Sequence, residues 1–270
     1  MEALPVLFAL IAIALYLSAA IVVARALTRR EPPAQGPLLG LLLSVALLLH
    51  GVVMHELLLE PGGLNFGLFT ITVLHAWLLA LLSLLVNIYR PVHGIYLIAM
   101  PLVAIELATG VAGHEHGQAT TGLSLAMQGH ILLSLLAYGV LSIAALQAIL
   151  LSWQESALRR HRRGLLLALP SLQTMEKMLF ELIAIGFVLL SLAIGTGFVV
   201  LDDMLAQHVA HKTLFSLMAW LVFASLLSGR HWRGWRGRTA VRFTLAGFLL
   251  LLVGFVGSKF VLELVLARPV

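Results

Sequence analysis

Apolar residues run through the chain in long blocks, and polar residues are confined to the short gaps between them. A helix that crosses a bilayer needs about 20 predominantly apolar residues. Eight blocks meet that length: 4–26, 37–60, 67–89, 92–112, 122–152, 178–201, 210–229 and 238–266. They break at Pro32-Pro33, Pro61-Gly62-Gly63, Pro91, the Gly113–Gly122 stretch, Pro170, Asp202-Asp203 and Gly229–Gly237, where turn-forming and charged residues gather. The pattern predicts an all-α fold, a polytopic membrane helix bundle of about eight transmembrane helices. The short gaps predict one integral membrane domain over residues 1–270.

Composition agrees with that pattern and narrows the chemistry. Of the 270 residues, 61% are hydrophobic and 11% charged, where a soluble domain carries about 25% charged residues. There are no cysteines, so disulfides, thiol redox chemistry and thiolate metal sites are excluded. The formal net charge of +5 does not mark a nucleic-acid binder, because the arginines are distributed as topology signals. With the N-terminus placed outside, Arg25, Arg29, Arg30, Arg90, the Arg159–Arg163 cluster, Lys177 and the arginines of 230–242 all fall in inner connections. Of the 17 lysines and arginines only Lys212, Lys259 and Arg268 fall outside. An even number of spans then puts both termini outside, in a bacterial cytoplasmic (inner) membrane crossed many times. Glu2 precedes the first apolar block and the arginines follow it, the reverse of a cleavable signal peptide.

Two inner segments need a reading of their own. Gly229-Arg-His-Trp-Arg-Gly-Trp-Arg-Gly-Arg238 has the look of a nucleic-acid patch but reads as a positive-inside anchor with interfacial tryptophans. The segment from Glu155 to Lys177 is long enough for a short interfacial helix, with Leu165, Leu166, Leu167, Leu169 and Leu172 towards lipid.

Ionisable residues inside spanning helices are costly and mark function. The topology puts His50 and His55 in the outer part of the second block, His75 in the outer half of the third and His130 in the outer third of the fifth. His208 and His211 begin the seventh. The blocks alternate in direction, yet these imidazoles collect on one side. Neutral imidazole is a common ligand of metals and of haem iron, and two histidines from separate helices can grip one iron from opposite faces. A closed zinc site wants about four ligands, and no H-x-x-x-H spacing supplies them. For each histidine taken alone, a hydrogen bond across helices is the competing role. His114-Glu115-His116 reads as a solvated outer loop, and Glu106 stands alone in the fourth block. Glu56, near the outer rim, is placed to orient a histidine through its ring N–H. No GxxxxGK[ST] phosphate loop, H-E-x-x-H motif or G-x-S-x-G elbow is present, so the expectation is not an enzyme.

Four stretches carry a family likeness. They are Leu48-Leu-His-Gly51 with Leu64-Asn-Phe66 and Leu74-His-Ala-Trp77; Gly129-His-Ile-Leu-Leu-Ser-Leu-Leu-Ala-Tyr138 running to Ala145-Leu-Gln147; Leu169-Pro-Ser-Leu-Gln-Thr-Met-Glu-Lys177 with Gly186-Phe187 and Ile194-Gly-Thr-Gly197; and His211-Lys-Thr213, Trp220 and Gly234-Trp-Arg-Gly237. In these the chain, over about residues 37–268, resembles the bacterial cytochrome c assembly proteins, the CcsA/CcmC/HemX-like group, and most closely its short YpjD-like branch. The resemblance implies a haem-binding or haem-handling inner membrane protein of cytochrome c biogenesis, with haem as cofactor. Its partners would be the lipid bilayer, haem, other biogenesis proteins or an apocytochrome, and no nucleic acid. It makes His50 and His130 the candidate haem-iron ligands and sets His211 in the family's tryptophan-rich signature segment. His75 joins this cofactor-binding set from its outer position. The equivalent of that signature here, Phe198–His211, has Asp202-Asp203 and no tryptophan. That departure keeps an alternative open, a non-catalytic membrane partner or regulator of another complex. A third reading is a small transporter using Glu106, Asn87 and the histidines.

Overall fold

A computed structural model describes residues 3–29, 37–60, 63–89, 93–114, 119–120, 123–160, 169–200 and 210–257. The eight expected spans are all helical: α1 (Ala3–Arg29), α2 (Pro37–Leu58), α3 (Leu68–Tyr89), α4 (Tyr96–Ala112), α5 (Leu125–Arg159), α6 (Leu172–Val200), α7 (Ala210–Arg233) and α8 (Arg238–Leu252). Eight helices are long and apolar enough to cross a membrane. A π-helical turn at Val253–Gly257 extends α8. Three short strands, β1 (Leu59–Glu60), β2 (Gly63–Asn65) and β3 (Ala119–Thr120), add an antiparallel sheet that the apolar blocks did not foretell.

Two helices overrun their apolar blocks. α5 continues past residue 152 as far as Arg159, and α6 starts at Leu172. A helix does not stop where lipid stops, because water tolerates the same hydrogen-bonded backbone. The overhang of α5 is held by Arg159, whose guanidinium donates to Glu155 one turn back at 2.7 Å. Gln154 donates to the Pro170 carbonyl at 2.8 Å, which ties the end of α5 to the start of α6. The two ends of the expected interfacial helix, residues 155–159 and 172–177, therefore belong to these two spans, and Leu165, Leu166 and Leu167 lie outside the described residues.

The chain forms two compact units, residues 1–122 with 153–171 and residues 123–152 with 172–270. In the first, α1 packs along α2 and α4, and α3 packs along α2 and α4, giving an up-and-down ring of four helices. The buried stripe on α1 is Ala12, Tyr16, Ala19 and Val23, and on α2 it is Leu43, Ala46, His50, Val53 and Leu57. Both follow the three-to-four spacing of one helix face. The opposite faces of α1 and α2 carry Leu10, Leu41 and Leu48, and α4 carries Ile105, all exposed. Alanine and glycine in the stripe let the backbones approach: a Cβ on Gly110 would stand 2.9 Å from the Phe69 carbonyl oxygen.

The second unit is also a ring. α5 lies antiparallel to α6, since Gln147 meets Met175, Leu141 meets Gly186 and His130 meets Thr196. α6 meets α7 through Ser191 and Trp220, and α7 meets α8 through Phe223 and Gly247. Tyr138 of α5 closes the ring against Phe248 of α8, with the rings stacked at 5.5 Å.

The glycines of α6 test this packing. A Cβ on Gly186 would stand 2.5 Å from Leu141, whereas one on Gly195 meets nothing within 4 Å. Gly186→Val is expected to cost about 1–3 kcal/mol through overpacking. Gly195→Ala should be neutral or slightly stabilising, because alanine is the better helix former. Thermal unfolding of both variants in mild detergent measures the difference, and equal midpoints would contradict the close α5–α6 approach.

Candidate functional site

His50, His75 and His130 are each met by a partner on another helix. His50, fully buried on α2, uses both ring nitrogens. Its Nε2 lies 3.2 Å from the Val73 carbonyl of α3, and its Nδ1 lies 3.3 Å from the Tyr16 hydroxyl of α1. A carbonyl can only accept, so Nε2 carries the proton and Nδ1 accepts from Tyr16. One imidazole thus joins three helices of the first ring. Beside it, Trp77 of α3 donates to the Leu47 carbonyl of α2 at 3.1 Å.

His75 lies on α3, facing α4. Its Nδ1 is 2.9 Å from Oε2 of Glu106. Glu106, isolated in sequence, is therefore half of an imidazole–carboxylate pair largely withdrawn from the surface. A carboxylate on Nδ1 fixes the ring's orientation, as in the outer shell of many metal sites.

At the end of the first ring that carries the small sheet, a second polar cluster forms. β1 pairs with β2 and β2 with β3, with Leu59 opposite Leu64 and Leu64 opposite Thr120. The turn between β1 and α3 is held by Asn65, whose Nδ2 donates to Glu60 at 2.8 Å and whose Oδ1 accepts from the Gly67 N–H at 2.8 Å. His114 Nε2 stands 3.7 Å from Glu60, and its Nδ1 is 3.3 Å from the Thr70 hydroxyl. The expectation of a solvated loop does not hold for His114, whose side chain is buried with that of Glu60. The sheet brings their two connections together, which linear spacing could not reveal. His55 and Glu56, by contrast, form an exposed pair at 3.7 Å.

In the second ring His130 stands one and a half turns into α5, about six residues from its start. Its Nδ1 lies 3.1 Å from the Thr196 hydroxyl, near the end of α6. That hydroxyl donates its single hydrogen to the Ala193 carbonyl at 3.0 Å, so it accepts from His130. Nδ1 is then the protonated nitrogen, and Nε2 keeps its lone pair. The Ala193 carbonyl also lies within hydrogen-bond reach of this ring and, like Thr196, belongs to α6, and His130 is only partly buried. Further along α6, Trp220 of α7 donates to Ser191 at 2.8 Å and stacks on Phe187 at 5.3 Å. His211 falls in the first turn of α7, but its side chain lies outside the described residues, as do His208 and Asp202-Asp203. Among the described residues no three histidine, aspartate or glutamate side chains gather as a metal cluster.

Four stretches, eight spans and histidines bonded between helices can be set beside known proteins. Residues 38–266 match the family of cytochrome c assembly proteins. The chain belongs to that family. The inner membrane protein YpjD of Escherichia coli strain K12 is 31% identical over 229 residues, which are 82% of this chain and 85% of that relative. A 28.8 kDa protein of Azospirillum brasilense is 33% identical over 140 residues, 51% of this chain and 52% of its own length. The cytochrome c biogenesis protein CcsA of Gloeobacter violaceus is 28% identical over 93 residues, 34% of this chain and 28% of its own. No solved structure matches the chain. With eight membrane-length helices and an inner membrane relative across most of its length, this family member is a multi-pass inner membrane protein.

The partners of the histidines were the part that sequence reasoning missed. Tyr16 and Thr196 look like ordinary helix residues, whereas Glu106, a lone charge in an apolar block, gave a signal. The His75–Glu106 pair can be measured by a double-mutant cycle. Glu106→Leu, His75→Leu and the double variant should show a coupling energy of about 1–3 kcal/mol in thermal or denaturant unfolding. Additive effects would mean that the two groups do not share a proton in the folded protein.

Proposed function

We propose that this protein handles haem during cytochrome c assembly, taking the iron on His130. Family membership supports a role in cytochrome c biogenesis. The single observation behind the haem assignment is the state of the His130 ring. Thr196 holds the Nδ1 proton, which leaves the Nε2 lone pair to bind a metal. A ligating histidine that donates its other N–H to a neighbouring oxygen is the usual arrangement around protein-bound metals. The donor set also fits the chemistry: with no cysteine in the chain, imidazole is the strongest iron ligand available.

The other candidates divide by their surroundings. His75 has a carboxylate to orient it and is the second residue suited to ligation. Ligation by His50 would cost it one of its two bonds, that from Tyr16 at Nδ1 or that to the Val73 carbonyl at Nε2, and as arranged the ring joins α1, α2 and α3. His211 belongs to the proposed set through its place in the family likeness alone. Bound haem would supply a redox-active iron; the residues of the chain would hold and orient it, and apolar helix faces would exclude water. An apocytochrome or another biogenesis protein is the partner this role requires.

Absorption spectroscopy of the purified protein with haem supplied tests the proposal. The wild type should develop a Soret band shifted from that of free haem, and His130→Ala should lose it. Thr196→Val keeps the imidazole but removes its support, and should weaken haem binding by about 10–100-fold. A well-folded wild type with no shifted Soret band would defeat the assignment.

A further inference from the structure

The turn between α7 and α8 is built more firmly than a connection between two spans requires. Arg230, in the last turn of α7, donates to Oε1 of Glu176 on α6 at 2.8 Å and to the Trp235 carbonyl at 3.3 Å. Its guanidinium lies 4.6 Å above the Phe180 ring. The other oxygen of Glu176 accepts the Gly237 N–H at 3.1 Å. One carboxylate on α6 therefore pins the turn at both ends. Trp235 fills the space that a Cβ on Gly229 would take and packs on Phe243 at 4.8 Å. Gly234 and Gly237 take φ values of 66° and 55°, where other residues are strained.

What this frame holds out is positive charge. Arg233, Arg236 and Arg242 are exposed, and none has a hydrogen-bond or ion-pair partner among the described residues. The carboxylate of Glu176 is already used by Arg230 and Gly237. Trp232, next to Arg233, is 81% exposed. The flanking spans run over 212–233 and 238–255, so the turn joins two membrane-length helices and would meet a bilayer at its headgroups. Tryptophan favours that boundary, where its ring contacts acyl chains and its N–H reaches polar groups. A general preference for basic residues on one side of a membrane needs charge alone. It needs no fixed geometry.

We propose that the α7–α8 turn is a preorganised site for the phosphate of an anionic phospholipid. Arg233, Arg236 and Arg242 are the cationic donors, and Trp232 is the apolar anchor that selects a lipid over free phosphate. Arginine suits this role because its planar fork of N–H groups matches phosphate oxygens. Glu176 acts as a positioning residue: it touches no lipid and holds the turn in shape.

The test uses the full chain in an uncharged mild detergent, with phosphatidylglycerol as probe and native mass spectrometry as readout. Phosphatidylglycerol should stay bound where phosphatidylcholine does not, and millimolar inorganic phosphate should not displace it. Arg233→Gln and Arg236→Gln, which disturb no described partner, should each weaken retention by about fivefold. Glu176→Gln decides the point, because it makes the turn more positive. Diffuse attraction would then hold the lipid as well or better, whereas a preorganised site loses several-fold in affinity. Equal retention of the two lipids, displacement by phosphate, preference for an RNA oligonucleotide over phosphatidylglycerol, or undiminished binding by Glu176→Gln would each overturn the proposal. Unfolding midpoints of the arginine variants equal to that of the wild type ensure that loss of lipid is not loss of fold.

Discussion

Inside a bilayer there is no water to satisfy a polar group, so a buried imidazole, hydroxyl or indole is costly unless the protein itself answers it. Most of the short side chains are answered within their own helices. Ser18, Thr28, Thr72, Ser134, Ser142, Ser191 and Thr244 all bond the carbonyl four residues back. Longer side chains reach across. His50, Trp77, His75, His130, Gln147 and Trp220 each bond a neighbouring helix, and together they set which faces meet. Apolar contact between helices gives little preference for one rotation over another when lipid is equally apolar. The polar bonds supply that preference.

The same rule separates support from chemistry among the histidines. A ring whose two nitrogens are both engaged, as in His50, is a structural crosslink. A ring held at one nitrogen by a neighbour, as His130 is by Thr196, is the arrangement on which the proposed ligation rests. Thr196 creates that state because its own hydrogen is committed to Ala193. The two imidazoles differ in burial and in partners: His50 is fully buried between two other helices, and His130 is partly exposed against α6.

At the ends of the helices water returns and the design changes. The first ring is capped by a small sheet that buries Glu60, Asn65 and His114 together. The α7–α8 turn uses a single glutamate in the opposite way, drawing one arginine inward and leaving others displayed. In both places a carboxylate orders a connection that would otherwise be a short polar linker.

Apolar block length and turn residues were sufficient to read eight spans, because a spanning helix must satisfy its backbone locally and lipid demands about 20 apolar residues. The histidines could be singled out as costly for the same reason, and the ordered stretches around His50, His130 and Trp220 carried the family. What the sequence left undetermined was everything that depends on the rotation of one helix against another. The Tyr16–His50 bond spans 34 residues and the His130–Thr196 bond spans 66. His114 read as a loop residue until the strands joined its connection to that of Glu60. Helix ends also escaped the apolar pattern, since α5 and α6 continue into water where hydropathy falls but backbone hydrogen bonding does not. Local physics determined which segments cross the membrane. Only tertiary structure decided which partners His50, His75 and His130 meet, because each partner lies on another helix, at a rotation that apolar spacing does not encode.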